Sequence, residues 1–267
     1  MRRFLRILAV ALIAASLYSM TPAAFLYLKK HTRQPSNSET AEKLRGNKGD
    51  YFGFIVFGDN HAGFIFDDSA FLKLIRNMNR EDRFEKKLPG KGRFEKKMPI
   101  DFAANMGDIT FSKGIESDFI TYDKLRSMIK YPVISAIGNH DDQKGSWRTF
   151  NKYVGSKEFS FINRNSYFMV LDNNITDISQ EQFLWLEDEL IKAAPYKHKF
   201  IFMHKSPISL YQQSWFQPER GAWSYRAMKL CQKYGVDIVF SGHEHMFRTS
   251  VFGGVRYITS GGGGMFI

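Results

Sequence analysis

Five short blocks of this 267-residue chain end an apolar run with residues that bind cations or move protons. They are GDNH, with Asp59 and His61; GDI, with Asp108; GNHDD, with Asn139, His140 and Asp141; MHKSP, with His204; and GHEH, with His243 and His245. Five of the seven histidines therefore sit where a strand-like run opens into a loop. Taken alone, each block has an ordinary reading. Gly, Asn and Asp are common turn residues, and a single histidine on an apolar run is more often a satisfied core residue than a ligand. Their joint occurrence points elsewhere. Counted from Asp59 through Asp108, Asn139, His204 and His243, the steps are 49, 31, 65 and 39 residues. Each step leaves room for the crossover that parallel strands require. In an α/β sheet the carboxyl ends of the strands are where ligands collect.

The residue types suit a metal centre, since imidazole binds Zn, Fe or Mn and carboxylate oxygens bind the harder divalent ions. Asp59, His61, Asp108, Asn139, His204, His243 and His245 are too many donors for one tetrahedral ion. Two ions fit better, and a carboxylate with two oxygens can bridge a pair about 3.5–4 Å apart, as in two-metal hydrolases. Asp108, central in the order, is the candidate bridge.

The elements that must position these groups follow from periodicity. Buried strands are predicted within YFGFIVFGDNH, IDFAANMGD, YPVISAIGNHD, SYFMVLD, KHKFIFMHKSP, VDIVFSGHEH and VRYITSGGG. Helical apolar spacing runs over 70–78, 119–128, 183–191 and 225–234, the third preceded by Ser179 and Glu181 in helix-start positions. Strands alternating with helices predict an α/β domain whose sheets are covered on both faces.

With these blocks in this order, residues 51 to about 264 closely resemble the calcineurin-like metallophosphoesterase superfamily. The resemblance implies two packed mixed β-sheets flanked by helices, a four-layer sandwich. It implies that Asp59, His61 and His245 hold one metal, that Asn139, His204 and His243 hold a second, and that Asp108 bridges them, the ions being Mn, Fe or Zn. His140 would be no ligand. It would meet the substrate phosphate as an electrophile, or as the acid that protonates the leaving oxygen, with the adjacent Asp141 orienting or tuning it. The implied reaction is metal-dependent hydrolysis of a phosphate mono- or diester. TFSKG follows GDI where protein serine/threonine phosphatases continue VDRG. Phe111 stands where purple acid phosphatases place a metal-binding tyrosine. The intact GNHD differs from lipid-sugar pyrophosphate hydrolases, which replace that histidine. A different class of function, a non-catalytic metal-stabilised scaffold domain at a membrane, would close the site with protein ligands rather than leave a solvent position open.

The rest of the chain bounds partners and location. The net charge of +11 divides into +6 over residues 1–50 (nine Lys/Arg, three Asp/Glu), +4 over 80–99 (eight and four) and +1 elsewhere. A nearly neutral body does not offer the long basic track that nucleic-acid backbones need, which disfavours a nuclease. From Ile7 to Leu28 the chain carries no charge, between MRRFLR and Lys29-Lys30. That segment reads as a membrane-spanning helix or as a signal peptide with small residues near Ala23 and Ala24. Either sends the protein to a membrane, with the main domain expected on the extracytoplasmic side. We thus divide the chain into an anchor or leader (1–30), a polar and disordered linker (31–50) and the chemical domain (51–267). The near-repeat RFEKKLP/RFEKKMP at Arg83 and Arg93 reads as a duplicated solvated loop, with docking to anionic lipid headgroups the sharper alternative. Residues 206–226, with Tyr211, Trp215, Phe216, Trp223, Arg220 and Arg226, read either as a substrate flap or as loop packing at the domain edge. Trp147 and Arg148 pose the same choice. The lone Cys231 reads as a small buried helix residue. Related domains often continue past a glycine run like GGGGMFI, so the chain reads as a truncated or short version of such a domain. No motif selects an oligomeric state.

Overall fold

The computed structural model describes residues 35–49, 51–63, 68–80, 99–142, 147–174, 179–208 and 223–263. The anchor or leader segment, the RFEKK repeat, residues 209–222 and the last four residues lie outside them. Among the described residues no helix is long and apolar enough to cross a membrane.

Two sheets stand face to face. Strands β1 (Gly53–Phe57), β2 (Ile100–Asn105) and β3 (Val133–Ser135) form the first, in that order and all parallel. Strands β4 (Phe159–Asn163), β5 (Ser166–Val170), β6 (His198–Phe202), β7 (Ile238–Ser241), β8 (Phe247–Phe252) and β9 (Val255–Ser260) form the second. Its spatial order is β4-β5-β6-β7-β9-β8, with parallel pairing inside and antiparallel hairpins at both edges. Only this second sheet is mixed. The expectation of two mixed sheets is corrected for the first, whose three strands are joined by crossovers carrying α2 (Ser69–Arg80) and α3 (Glu116–Arg126).

The period-two alternation of each strand divides its side chains between two environments. In β5, Phe168 and Val170 enter the seam between the sheets, while Tyr167 and Met169 pack under α5 (Gln180–Lys192) and α6 (Trp223–Lys233). In β2, Phe102 and Ala104 face the seam and Ala103 faces α2 and α3, while a register irregularity before Phe102 turns Ile100 to the helix side as well. The seam is built of phenylalanine. The Phe54 ring lies 5.1 Å from Phe102, 5.5 Å from Phe168 and 5.7 Å from Phe240, centroid to centroid. With α4 (Trp147–Tyr153) also on the first sheet's outer face, through buried Phe150, the layers run helix, sheet, sheet, helix. Cys231 is buried in α6, and burial pushes its thiol up to about 12.

Register is what matters for the site. Phe57, Asn105 and Ser135 are aligned at the carboxyl ends of β1, β2 and β3. Val170, Phe202 and Phe240 are aligned in β5, β6 and β7. The loops holding Asp59, Asp108 and Asn139 therefore leave one edge of the first sheet together, and those holding His204 and His243 leave one edge of the second.

The polar linker needs correction. Residues 37–45 form a helix, α1, not a disordered tether. Ser36 and Glu39 make a reciprocal capping box, with Ser36 N donating to Glu39 Oε2 at 2.6 Å and Glu39 N to Ser36 Oγ at 3.3 Å. Buried Asn37 then docks the helix on β3, an edge strand of the first sheet. Its Nδ2 donates to Ser135 O and Ser156 O, both at 2.8 Å, and its Oδ1 accepts from Ser135 N at 2.9 Å. The side-chain amide thus stands in for a missing neighbouring strand. Asn37→Ala leaves both backbone groups of Ser135 buried without these partners, and is expected to cost about 2–4 kcal/mol of stability. Urea unfolding checks it; an unchanged midpoint would contradict the docking role.

Candidate metal centre

The turns that carry the predicted ligands share an uncommon backbone. Among the described residues six non-glycine residues have positive φ, and four of them are predicted ligands: Asp59 (59°), His61 (45°), Asp108 (50°) and His243 (67°). Such left-handed positions cost on the order of 1–3 kcal/mol each and persist where the surroundings over-determine them. Here neighbouring loops do so. Asp59 N donates to Gly107 O at 2.9 Å, His61 N to Asp108 O at 3.1 Å and Gly242 N to His204 O at 2.9 Å. Two glycines make room. A Cβ at Gly138 would lie 2.3 Å from Asp108 Oδ1, and one at Gly242 would lie 2.4 Å from Asp59 Oδ2.

The side chains converge as the sequence predicts. Ligand atoms of Asp59, His61 and His245 lie within 4.8 Å of one another, as do those of Asp108, His204 and His243. Asp108 Oδ2 stands between the two groups, 3.9 Å from His61 Nε2 and 3.3 Å from His204 Nε2. Asn139 joins the second group, its Oδ1 3.1 Å from His204 Nε2. His245 joins the first, with Nε2 3.3 Å from His61 Nε2 and 3.6 Å from Asp59 Oδ1.

Backbone carbonyls set the tautomers. His61 Nδ1 is 3.3 Å from Thr110 O, and His204 Nδ1 is 2.8 Å from Met106 O. A carbonyl only accepts, so each Nδ1 carries the hydrogen and each Nε2 turns a lone pair inward. His204 Nε2 then faces two acceptors, Asn139 Oδ1 and Asp108 Oδ2. Only a proton on Nε2 or a metal ion can join these atoms, and a nitrogen with two oxygens converging on one point is the observation that fits this donor set to metal ions.

The electrostatics agree. Burial pushes the Asp59 carboxyl well above its usual range, with Asp108 adding to the rise. Burial works in the same direction on Asp108, but the His204 imidazole and the N–H of His140 hold that carboxyl well below the ordinary value. Burial lowers His61 and His243 to about 4, and also lowers His245. These imidazoles are neutral at pH 7, as ligands must be. His204 differs: burial lowers it, but the Asp108 carboxylate outweighs that and raises it to about 9.

His140 is half-buried beside these groups. A ring nitrogen lies within 4.8 Å of the ligand atoms of His61 and Asp108, its Nδ1 is 2.9 Å from Phe111 O, and its backbone N donates to Asp108 Oδ1 at 2.8 Å. Asp141 bonds the neighbouring turns. Its oxygens accept from Gly138 N at 2.8 Å, Ile109 N at 3.2 Å, Thr110 N at 2.9 Å and Thr110 Oγ1 at 2.9 Å. Asp141 thus clasps the Asp108 turn to the Asn139–His140 turn. Burial and Asp108 push its carboxyl up to about 7, against those N–H donors. The carbonyl of Phe111 orients His140.

Several supporting residues escaped the sequence reading. Asn105 Nδ2 donates to Asn60 Oδ1 at 2.7 Å, and Asn60 Nδ2 to Ile109 O at 3.0 Å, which ties the first two turns together. Asn173 Oδ1 accepts the N–H of His204 at 2.9 Å. The signal was present as asparagines at strand ends, where a side-chain amide can satisfy loop backbone. Of the aromatic stretch, Trp223 is buried, and Arg226 donates to Gln180 Oε1 at 2.9 Å with its guanidinium 4.1 Å from the Phe183 ring centroid. Both serve packing at the domain edge. Exposed Trp147 has Arg148 at 4.9 Å over its ring, and its N–H donates to Asp142 Oδ1 at 3.1 Å.

The profile of the calcineurin-like phosphoesterases matches residues 52–247, most of the chain. The chain belongs to this family. Among solved structures, this phosphoesterase is similar to the purple acid phosphatase PPD1 from yellow lupin (Lupinus luteus) seeds, at 16% identity and TM-score 0.64, over 81% of this chain and 45% of that one. It thus spans less than half the length of the lupin protein. It is also similar to GAP50, the anchor in the inner membrane complex of Plasmodium, at 16% identity and TM-score 0.55, over 79% of this chain and 72% of that one. No curated protein matches the chain.

Two outcomes test the centre. Asp108→Asn and Gly138→Ala are each expected to lower metal affinity by about 10–100-fold, the second without altering a ligand; elemental analysis after dialysis checks both. In metal-stripped protein, the raised pKa of His204 stabilises the fold in full below the unfolded value of about 6.5. That contribution is lost as pH rises through about 9. Thermal melts should fall across this window; a flat profile would contradict the His204–Asp108 ion pair.

Proposed function

We propose that this phosphoesterase hydrolyses a phosphate ester with two divalent or trivalent metal ions. Asp59, His61 and His245 hold one, Asn139, His204 and His243 hold the other, and Asp108 bridges them. The observation that carries this reading is the place of Asp108 Oδ2, between His61 Nε2 and His204 Nε2 at 3.9 and 3.3 Å. When bound, such a pair supplies Lewis acidity to the phosphoryl oxygens and an activated water near neutral pH.

The chain's own part is to position and to move one proton. His140 keeps its Nδ1 hydrogen on Phe111 O, 2.9 Å away, so Nε2 is the nitrogen that gains and loses a proton. As water adds to phosphorus, the bond from phosphorus to the ester oxygen breaks. The Nε2 proton of imidazolium His140 passes to that leaving oxygen, giving an alcohol and a neutral imidazole. Asp141 keeps the turn in place from behind.

A binding or scaffold role is the second reading, because a protein described as an anchor shares this fold and fold alone does not decide function. A half-buried His140 poised beside the ligands supports catalysis over that role. The uncharged run from Ile7 to Leu28 supports membrane targeting, with the domain on the extracytoplasmic side. Residues 51–267 are the phosphoesterase domain, to which α1 adds an N-terminal brace.

Release of p-nitrophenol from mono- and bis-p-nitrophenyl phosphate with Mn, Fe or Zn tests the activity; no turnover with any of them would favour the scaffold. His140→Ala is expected to retain metal and lose about 10²–10⁴-fold in kcat. Loss of metal in step with activity would remove the proton-donor role.

A further inference from the structure

We propose that Lys205 is a specificity-determining residue of this site, and that its ammonium selects phosphate groups bearing two negative charges, making monoesters the substrate class over diesters. The inference rests on the metal-dependent phosphoesterase reading and adds to it.

Lys205 directly follows His204 at the open end of β6. Its backbone is held on both sides by one residue, with Lys205 N donating to Asn173 Oδ1 at 3.0 Å and Asn173 Nδ2 donating to Lys205 O at 2.6 Å. The half-buried side chain reaches across to Asn174, where Nζ donates to the backbone carbonyl at 2.6 Å. Asn174 Nδ2 in turn lies 3.5 Å from Asp142 Oδ2, two residues past His140. The ammonium is therefore fixed beside the His140 turn rather than left swinging in solvent.

Among the described residues no carboxylate forms an ion pair with it, although those of Asp108 and Asp172 act on its charge from further off. The nearby Asp172 carboxylate pairs with Lys157. Among the described residues Lys205 meets a neutral carbonyl and forms no ion pair. An ammonium has three donors, so two remain after the bond to Asn174. A partly buried cation hydrogen-bonded to a neutral acceptor carries a desolvation cost that these more distant carboxylates offset only in part, and an arriving anion relieves the rest. A monoester dianion has one more unesterified oxygen than a diester, and one more charge, for those spare donors to meet.

The test uses the metal-loaded full chain at pH 8, where a phosphate monoester is a dianion. Lys205→Met is expected to lower kcat/KM for p-nitrophenyl phosphate about tenfold more than for the bis ester, the weight of one charge-assisted hydrogen bond, mainly through KM. Metal content should match wild type, and Lys205→Arg should recover most of the loss. Equal losses on both esters would overturn the assignment. Calorimetric titration with inorganic phosphate separates this inference from the reading beneath it. If wild type turns over neither ester, the phosphoesterase reading fails, yet weaker phosphate binding by Lys205→Met than by wild type still supports Lys205. Phosphate bound equally by both, or by neither, overturns it. Lys205→Gln keeps a donor for Asn174 without the charge and carries the same comparison if the Met variant unfolds.

Discussion

Two carboxylates, an amide oxygen and four inward-facing imidazoles crowd one largely buried place, and among themselves they cannot all be satisfied. His204 Nε2 faces Asn139 Oδ1 and Asp108 Oδ2, because its other nitrogen is committed to Met106 O, so a proton or a metal ion must lie between them. Asp59 lies fully buried with its carboxyl pushed upward. Positive charge placed among these atoms turns mutual repulsion into coordination, and much of the surrounding structure keeps them from relaxing apart. The left-handed turns at Asp59, His61, Asp108 and His243 cannot straighten while their amides are bonded to neighbouring loops. The absent side chains at Gly138 and Gly242 are the space into which Asp108 and Asp59 fit.

That local strain needs a rigid platform, and the phenylalanine seam supplies it. Two sheets pressed together through Phe54, Phe102, Phe168, Phe202 and Phe240 cannot slide without opening a tightly packed layer. Because β1, β2 and β3 share one register and β5, β6 and β7 another, fixing the sheets fixes five loop origins at once. Asn37 and α1 finish the exposed side of β3, so the strand leading to Asn139 and His140 is bonded along an edge that would otherwise lack a partner. Opposite, Asn173 holds the start of the His204–Lys205 turn.

The convergence of these side chains was legible because each ended an apolar run, and strand ends gather by topology whatever the intervening loops do. The seven central strands and four main helices were legible for the same reason: their burial is continuous enough to leave a period. β4 and β8 were missed because partial exposure breaks their alternation; β8 in particular shows Phe247, Val251 and Phe252 to solvent. α1 was missed because its polar composition masks a capping box, and its anchoring contact is a single asparagine amide that reaches 98 residues along the chain. The clasping contacts of Asp141 were not legible, because sequence adjacency to His140 says nothing about direction. Successive side chains in a turn diverge, and this one folds back under Ile109 and Thr110.

The central claim is that Asp108 is shared by two neighbouring cations. Electron paramagnetic resonance of the chain loaded with Mn(II) tests it most directly, because two ions joined by one carboxylate are magnetically coupled. The account predicts two manganese ions per chain and the multiline spectrum of a coupled pair, collapsing in Asp108→Asn. A single ion per chain, with the six-line spectrum of isolated manganese, would contradict it.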